Sequence, residues 1–127
     1  NESALVGAGY GILIAVIENH REIAERFGNE AGDRLIRIAV GTLRGILRNS
    51  FILGRWNENT ITILLPLCPD NAVHLLASRL RHILQTSDLT IGSETKPLRI
   101  TVHTLISARE ETEESILEKI EQIAGGN

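Results

Sequence analysis

An α+β domain is the fold class this sequence predicts, and three observations carry the prediction. A continuous apolar run of strand length, Gly11 to Ile17, is followed by segments with helical spacing. Two short apolar runs, Phe51 to Trp56 and Thr60 to Leu65, then flank a polar turn. A second amphipathic stretch and a further alternating run follow, so helices and strands interleave along the chain.

Gly11 to Ile17 shows no polar alternation, the pattern of a central strand covered on both faces. Asn19 is placed to cap the next segment, and Arg21 to Phe27 reads as a short helix stopped by Gly28. Asn29 or Glu30 opens a longer helix reaching about Arg48. Its Leu35, Ala39, Leu43 and Ile46, with Ile36, Val40 and Leu47, form one broad apolar stripe. The strands Phe51 to Trp56 and Thr60 to Leu65 are joined by the turn residues Asn57-Glu58-Asn59. Pro69-Asp70 starts a helix ending near Ser87, with Val73, Leu76, Leu80, Ile83 and Leu84 inward. A short strand is marked near Leu89 to Ile91, and a loop with Gly92, Ser93 and Pro97 follows. Leu98 to Ser107 reads as a strand that alternates Ile100, Val102, Thr104 and Ile106. A charged helix from Thr112 to Ala124 turns Ile116, Ile120 and Ile123 inward and stops at Gly125-Gly126. The order β-α-α-β-β-α-β-α contains the split βαβ, or ferredoxin-like, arrangement.

Composition narrows the function classes. The 127 residues suit one domain. A net charge of −3 supplies no electrostatic footprint for a nucleic-acid polymer. No apolar run approaches the ~20 residues of a membrane span, so no membrane contact is expected of this chain. The single cysteine, Cys68, cannot form an internal disulfide, which agrees with a cytoplasmic setting. The chain has no methionine, not even an initiator, so it reads as a single domain, 1–127, excised from a longer multidomain protein. His20, His74, His82 and His103 show no metal-ligand spacing with Cys68.

The stretch Arg55-Trp56-Asn57-Glu58-Asn59-Thr60, leaving as an apolar strand that ends in Pro66, resembles the central hairpin of GGDEF domains. That family makes cyclic di-GMP from GTP on a nucleotide-cyclase-type sheet with packed helices. The turn is degenerate here: both family glycines and the acidic pair are absent, and the acidic positions fall on Asn59 and Thr60. Gly28-Asn29-Glu30-Ala31-Gly32-Asp33 resembles the family's Gly-His-x-x-Gly-Asp segment. The resemblance implies that Asp33 reads a guanine edge; the alternative is a carboxylate in a helix's first turn, favoured there by ~0.3–1 kcal/mol. The guanine-contacting Asn of the family is matched by Ala24.

The resemblance also implies a two-magnesium site, shared between an Asp-x-Asp segment at the end of the first strand and the turn. The matching residues are Val16-Ile17-Glu18. A valine offers no oxygen to a hard cation, and Glu18 and Glu58 each stand one residue from a ligand position. No catalytic residue, metal ligand or cofactor is therefore assigned. The family's product-binding inhibitory site is matched by Arg48 and Arg79, with Phe51 replacing its Asp. Two arginines remain suited to guanine edges and phosphates; the alternative makes them a helix-end cation and a solvated surface residue. The phosphate-binding Lys of the family's last helix is absent.

The expected function is a catalytically inactive GGDEF-like regulatory or interaction module of a bacterial signalling protein. Its partners would be neighbouring domains, another protein or a second copy, with Trp56 as the interface candidate; packing of Trp56 on the sheet end is the alternative. A cyclic di-GMP receptor using Arg48 and Arg79 is the second reading. An active cyclase with a rebuilt metal site is the third.

Overall fold

The computed structural model describes residues 10–47, 51–66, 70–91, 93–106 and 113–125. Its elements are β1 (Tyr10–Ile17), α1 (His20–Phe27), α2 (Asn29–Ile46), β2 (Ile52–Asn57), β3 (Thr60–Pro66) and α3 (Asp70–Gln85). They continue with β4 (Asp88–Ile91), β5 (Glu94–Pro97), β6 (Ile100–Ile106) and α4 (Glu113–Gly125). The α+β class follows directly: a four-stranded antiparallel sheet in the order β2-β3-β1-β6, with helices packed on it.

β1 is apolar throughout because it is central in two senses. Strands flank it on both sides, and both of its faces are covered. Leu13, Ala15 and Ile17 join the larger core with Ile61, Ile63 and Leu65 of β3, Leu35, Ala39 and Leu43 of α2, and Val73, Ala77, Leu80 and Leu84 of α3. Ile12, Ile14 and Val16 point the other way and meet Ile116 and Ile120 of α4 in a smaller cluster. The period of two thus builds two cores from one strand. Each buried Leu or Ile contributes roughly 1.5–3 kcal/mol of transfer free energy, so the larger cluster dominates stability.

Two expectations need correction. Asn19 does not cap α1; its side chain makes no capping hydrogen bond. Its Nδ2 instead donates to the Pro97 carbonyl at 2.8 Å, and its Oδ1 accepts from the Arg99 N–H at 3.1 Å. A buried amide with two backbone partners across the fold gains more than a cap would supply, because burial makes any unpaired polar atom costly. The loop expected through Pro97 contains a strand, β5, paired antiparallel with β4 from Asp88↔Pro97 to Ile91↔Glu94. Its sequence Glu-Thr-Lys-Pro carries no apolar period, so the pairing has no hydrophobic signature. Arg26 and Arg34 tether this hairpin to the helices through Glu94 and the Thr90 carbonyl.

Among the described residues β2 and β6 are the outer strands of the main sheet, and β6 is partly blocked. Arg81 of α3 donates through Nε and Nη2 to the Val102 carbonyl, at 3.2 and 2.6 Å. None of the described helices is long and apolar enough to cross a membrane.

Candidate functional site

Gly28 shapes the first wall of the site. Its φ of 101° lies in the left-handed half of the backbone map, where a Cβ is strained. The chain can therefore end α1 and begin α2 across one residue, with the Gly28 carbonyl accepting from Ala31 and Gly32 N–H. Gly32 then brings the two helices together: a Cβ there would lie 3.1 Å from both the Ala24 Cβ and His20 Nε2. His20, Arg21, Ala24 and Glu25 of α1 and Asn29 and Asp33 of α2 line one side of an open groove.

The opposite wall is the β2–β3 turn, which contributes Arg55, Glu58 and Asn59 to a groove of about 800 Å³. Local hydrogen bonds hold the turn. Asn57 Oδ1 accepts from the Asn59 N–H at 3.0 Å, an Asx-type closure. Arg55 donates from Nε to the Asn57 carbonyl at 3.1 Å and from Nη2 to the Glu58 carbonyl at 2.9 Å. Asn59 ties the turn to β1: its carbonyl accepts from the Ile17 N–H at 2.8 Å, and its Nδ2 donates to the Ile17 carbonyl at 3.4 Å. The pairing register shifts between Arg55 and Asn57, leaving Trp56 as the extra residue of a bulge.

Val16, Asn59 and Thr60, which the family resemblance sets at metal positions, carry no carboxylate. Val16 is 2% exposed and packs in the smaller apolar cluster. Thr60, its direct partner in the β1–β3 register, is fully buried, and its hydroxyl donates to Asn59 Oδ1 at 3.3 Å. Glu18, the nearest carboxylate in sequence, accepts from the Thr101 hydroxyl at 2.9 Å. Among the described residues no group of three or more His, Cys, Asp or Glu side chains is arranged to hold a metal ion. Magnesium requires oxygen ligands in near-octahedral geometry, and a valine facing an apolar cluster cannot contribute one.

The sequence-derived candidates end up in different places. Asp33 lines the groove on an exposed part of α2. It lies in the helix's second turn, so Glu30 is the acidic residue of the first turn and the first-turn alternative does not describe Asp33. Arg79 is exposed on α3 and does not line the groove. Arg48 lies outside the described residues, as do Pro69 and Cys68. Phe51, at the position of the missing Asp, is half-buried against the larger core. Trp56 is half-buried beside the smaller cluster, and its Nε1 donates to Glu121 Oε2 at 2.8 Å. His20, Arg21, Glu25 and Asn29 are groove residues that sequence reading passed over. Their four-residue spacing, with Ala24 after His20, Glu25 after Arg21 and Asp33 after Asn29, was the available signal.

The sequence matches the family described as "Diguanylate cyclase, GGDEF domain" over residues 3–125. It is 32% identical over 118 residues to the diguanylate cyclase DgcP of Pseudomonas aeruginosa, covering 90% of this chain and 17% of that protein. The fold superimposes with a TM-score of 0.84 on the diguanylate cyclase SiaD from Pseudomonas aeruginosa, solved with its activator SiaC, at 19% identity over 94% of this chain and 46% of that one. It superimposes at 0.83 on the GGDEF domain of DgcB from Caulobacter crescentus, solved with c-di-GMP, at 15% identity over 99% of this chain and 76% of that one. The chain spans 17% of DgcP and 10% of the cyclic di-GMP phosphodiesterase NbdA of Pseudomonas aeruginosa, to which it is 28% identical over 76 residues, 60% of this chain. The hairpin, the groove behind it and the sheet that carries both are those of a family to which this chain belongs, the GGDEF domains.

Proposed function

We propose that this domain is a catalytically inactive regulatory and interaction module of a larger bacterial protein in cyclic di-GMP signalling. The Val16–Thr60 pair carries the reading. Attack of a ribose 3'-hydroxyl on an α-phosphorus needs an activated oxygen and neutralised phosphate charge, which metal ions supply in this fold. A valine 2% exposed and a threonine fully buried supply neither. Glu58 adds an anionic side chain to the groove wall, against any bound triphosphate. The placement in a longer protein is supported by the small share of each sequence relative that this chain spans. A cytoplasmic setting belongs to the same proposal, in keeping with the lone cysteine.

The test is incubation of the purified domain with GTP and Mg²⁺ or Mn²⁺, followed by chromatography. No cyclic di-GMP is expected at any time point. Product that accumulates and is abolished by Glu18→Ala or Glu58→Ala would establish a rebuilt metal site instead.

A second reading, reception of cyclic di-GMP, is favoured by one observation. Arg79 is exposed on α3, with its guanidinium turned to neither the groove nor any described carboxylate. Together with Arg48 it would supply the bidentate donors that guanine edges and phosphates accept.

A further inference from the structure

The solvent-facing line of α2 is basic. Arg34, Arg37, Gly41 and Arg44 recur at three and four residues on the side opposite Leu35, Ala39 and Leu43, and all four are exposed. Glu30 starts the line, and Arg34 is spent on the Thr90 carbonyl, so the free positive charge lies at Arg37 and Arg44. Neither takes part in any of the described salt bridges. Gly41 leaves a hollow between them: a Cβ added there would meet nothing within 4 Å.

α4 carries the complement on its own exposed side. Glu114, Leu117 and Glu121 recur at three and four residues, with Glu118 beside them, and all are exposed. Leu117 stands 43% exposed, an apolar side chain left in solvent between two carboxylates. Glu114 forms none of the described salt bridges, and Glu121 gives one carboxylate oxygen to the Trp56 indole, leaving Oε1 for a second donor. In opposite chain directions the two lines have the same spacing: Glu114, Leu117, Glu121 on α4 and Arg44, Gly41, Arg37 on α2. Each covers about 10 Å of helix. An antiparallel approach sets Glu114 against Arg44 and Glu121 against Arg37, with Leu117 over the hollow at Gly41. The two lines cannot meet within one chain, because α2 covers the sheet face of the larger core and α4 the face of the smaller.

We infer that α2 of one copy of this chain receives α4 of a second copy in this register. The contact is head to tail, so each pair keeps one free α2 and one free α4 and can add further copies. Exposed ion pairs are individually weak and screened by salt, and the leucine over the glycine adds the apolar area they lack. The matched spacing favours a second copy over a nucleic-acid or membrane surface, neither of which offers two anions fixed about an apolar side chain. The inference rests on the interaction half of the proposed function and names its partner. It involves no GTP chemistry, so turnover of GTP would sink the inactive reading and leave this contact standing.

The experiment is light scattering of this chain over a range of concentrations, at low salt and at about 1 M salt, where the Debye length is ~3 Å. The mass is expected to rise with concentration at low salt and to fall back toward one chain at high salt. Arg37→Gln with Arg44→Gln, and separately Glu114→Gln with Leu117→Ala, should each weaken association by about 10-fold or more. Gly41→Leu fills the hollow without altering a charge and should weaken association likewise. Its melting temperature should not fall, since the new side chain enters open space and leucine favours helix. Mixing the two double variants should give pairs of twice the chain's mass and nothing larger, because each supplies the line the other lacks. A wild-type chain that stays single at every concentration, association indifferent to Gly41→Leu, or a mixture of any other mass would overturn the inference. So would a single chain that binds duplex DNA or anionic vesicles and loses that binding in Arg37→Gln with Arg44→Gln, since the basic line would then serve another anion.

Discussion

At the scale of single residues, the position that the family resemblance gives to a metal-binding aspartate holds a valine that faces apolar neighbours. Val16 lies on the same side of β1 as Ile12 and Ile14, among apolar neighbours. An aspartate placed there alone would enter a cluster with no cation to meet it, and burial of an unpaired charge is among the largest single-site costs. Val16→Asp is therefore expected to lower stability by about 3 kcal/mol or more, read as a shift of the urea midpoint, and to yield no cyclic di-GMP. Phe51 presents a comparable conflict. Supplying the missing acceptor with Phe51→Asp should strengthen cyclic di-GMP binding about 10-fold or more, at one charge-assisted hydrogen bond of ~1.5–3 kcal/mol. The same change removes a ring from the edge of the larger core. Calorimetry and a denaturation curve on one sample separate the two effects. Arg48→Ala and Arg79→Ala should each abolish the gain; indifference to both would place binding elsewhere.

Among elements, the edge strands set the more exacting demand. Among the described residues β6 is an outer strand of the sheet, paired only with β1, and an unpaired strand edge is a template for another chain. Arg81 occupies that edge by taking the Val102 carbonyl twice. Arg81→Ala is expected to cost about 1 kcal/mol and to increase self-association, measured as mass by light scattering over a range of concentrations. A strictly monomeric variant would show that the edge is protected by other means. The sequence displayed the elements with apolar period and hid those without it. β1, α2, β3 and α3 were legible because their stripes report burial directly. β5 was not, because Glu94, Thr95, Lys96 and Pro97 carry no apolar period to mark the pairing with β4. The groove was half legible: Asp33 and the Arg55–Asn59 turn came from a motif, whereas the α1 wall became visible only when Gly28 and Gly32 fixed how two helices meet. Asn19 shows the same limit, since its partners at 97 and 99 are far away in sequence.

For the whole molecule, pairing without chemistry remains the expectation for a module of this kind. Light scattering of the domain, alone and with flanking parent segments, should show a concentration-dependent dimer or a retained partner. Trp56→Ala cannot decide that question by itself, because the indole also packs within its own chain against the smaller cluster. Ile52, Leu75 and Leu117, exposed at 56, 66 and 43%, lie on three separate elements and are better probes of an outer face. The central position of β1 has a consequence for how the protein comes to be folded at all. Its first strand pairs with its last, Gly11 with Ile106, so the sheet cannot close until nearly the whole chain is present. During synthesis β1 must wait, with one margin unpaired and its apolar side chains seeking cover, while most of the remaining residues are added. Closing so long a loop makes folding slower than in domains built from local contacts, between the rates of helical bundles and of all-β folds. A fragment ending at Ile91 should therefore fail to fold cooperatively, although it carries β1 to β4 and three of the helices. Circular dichroism would show residual helix with no sigmoidal melt, and a cooperative transition in that fragment would mean that β6 is an addition to a sheet already made.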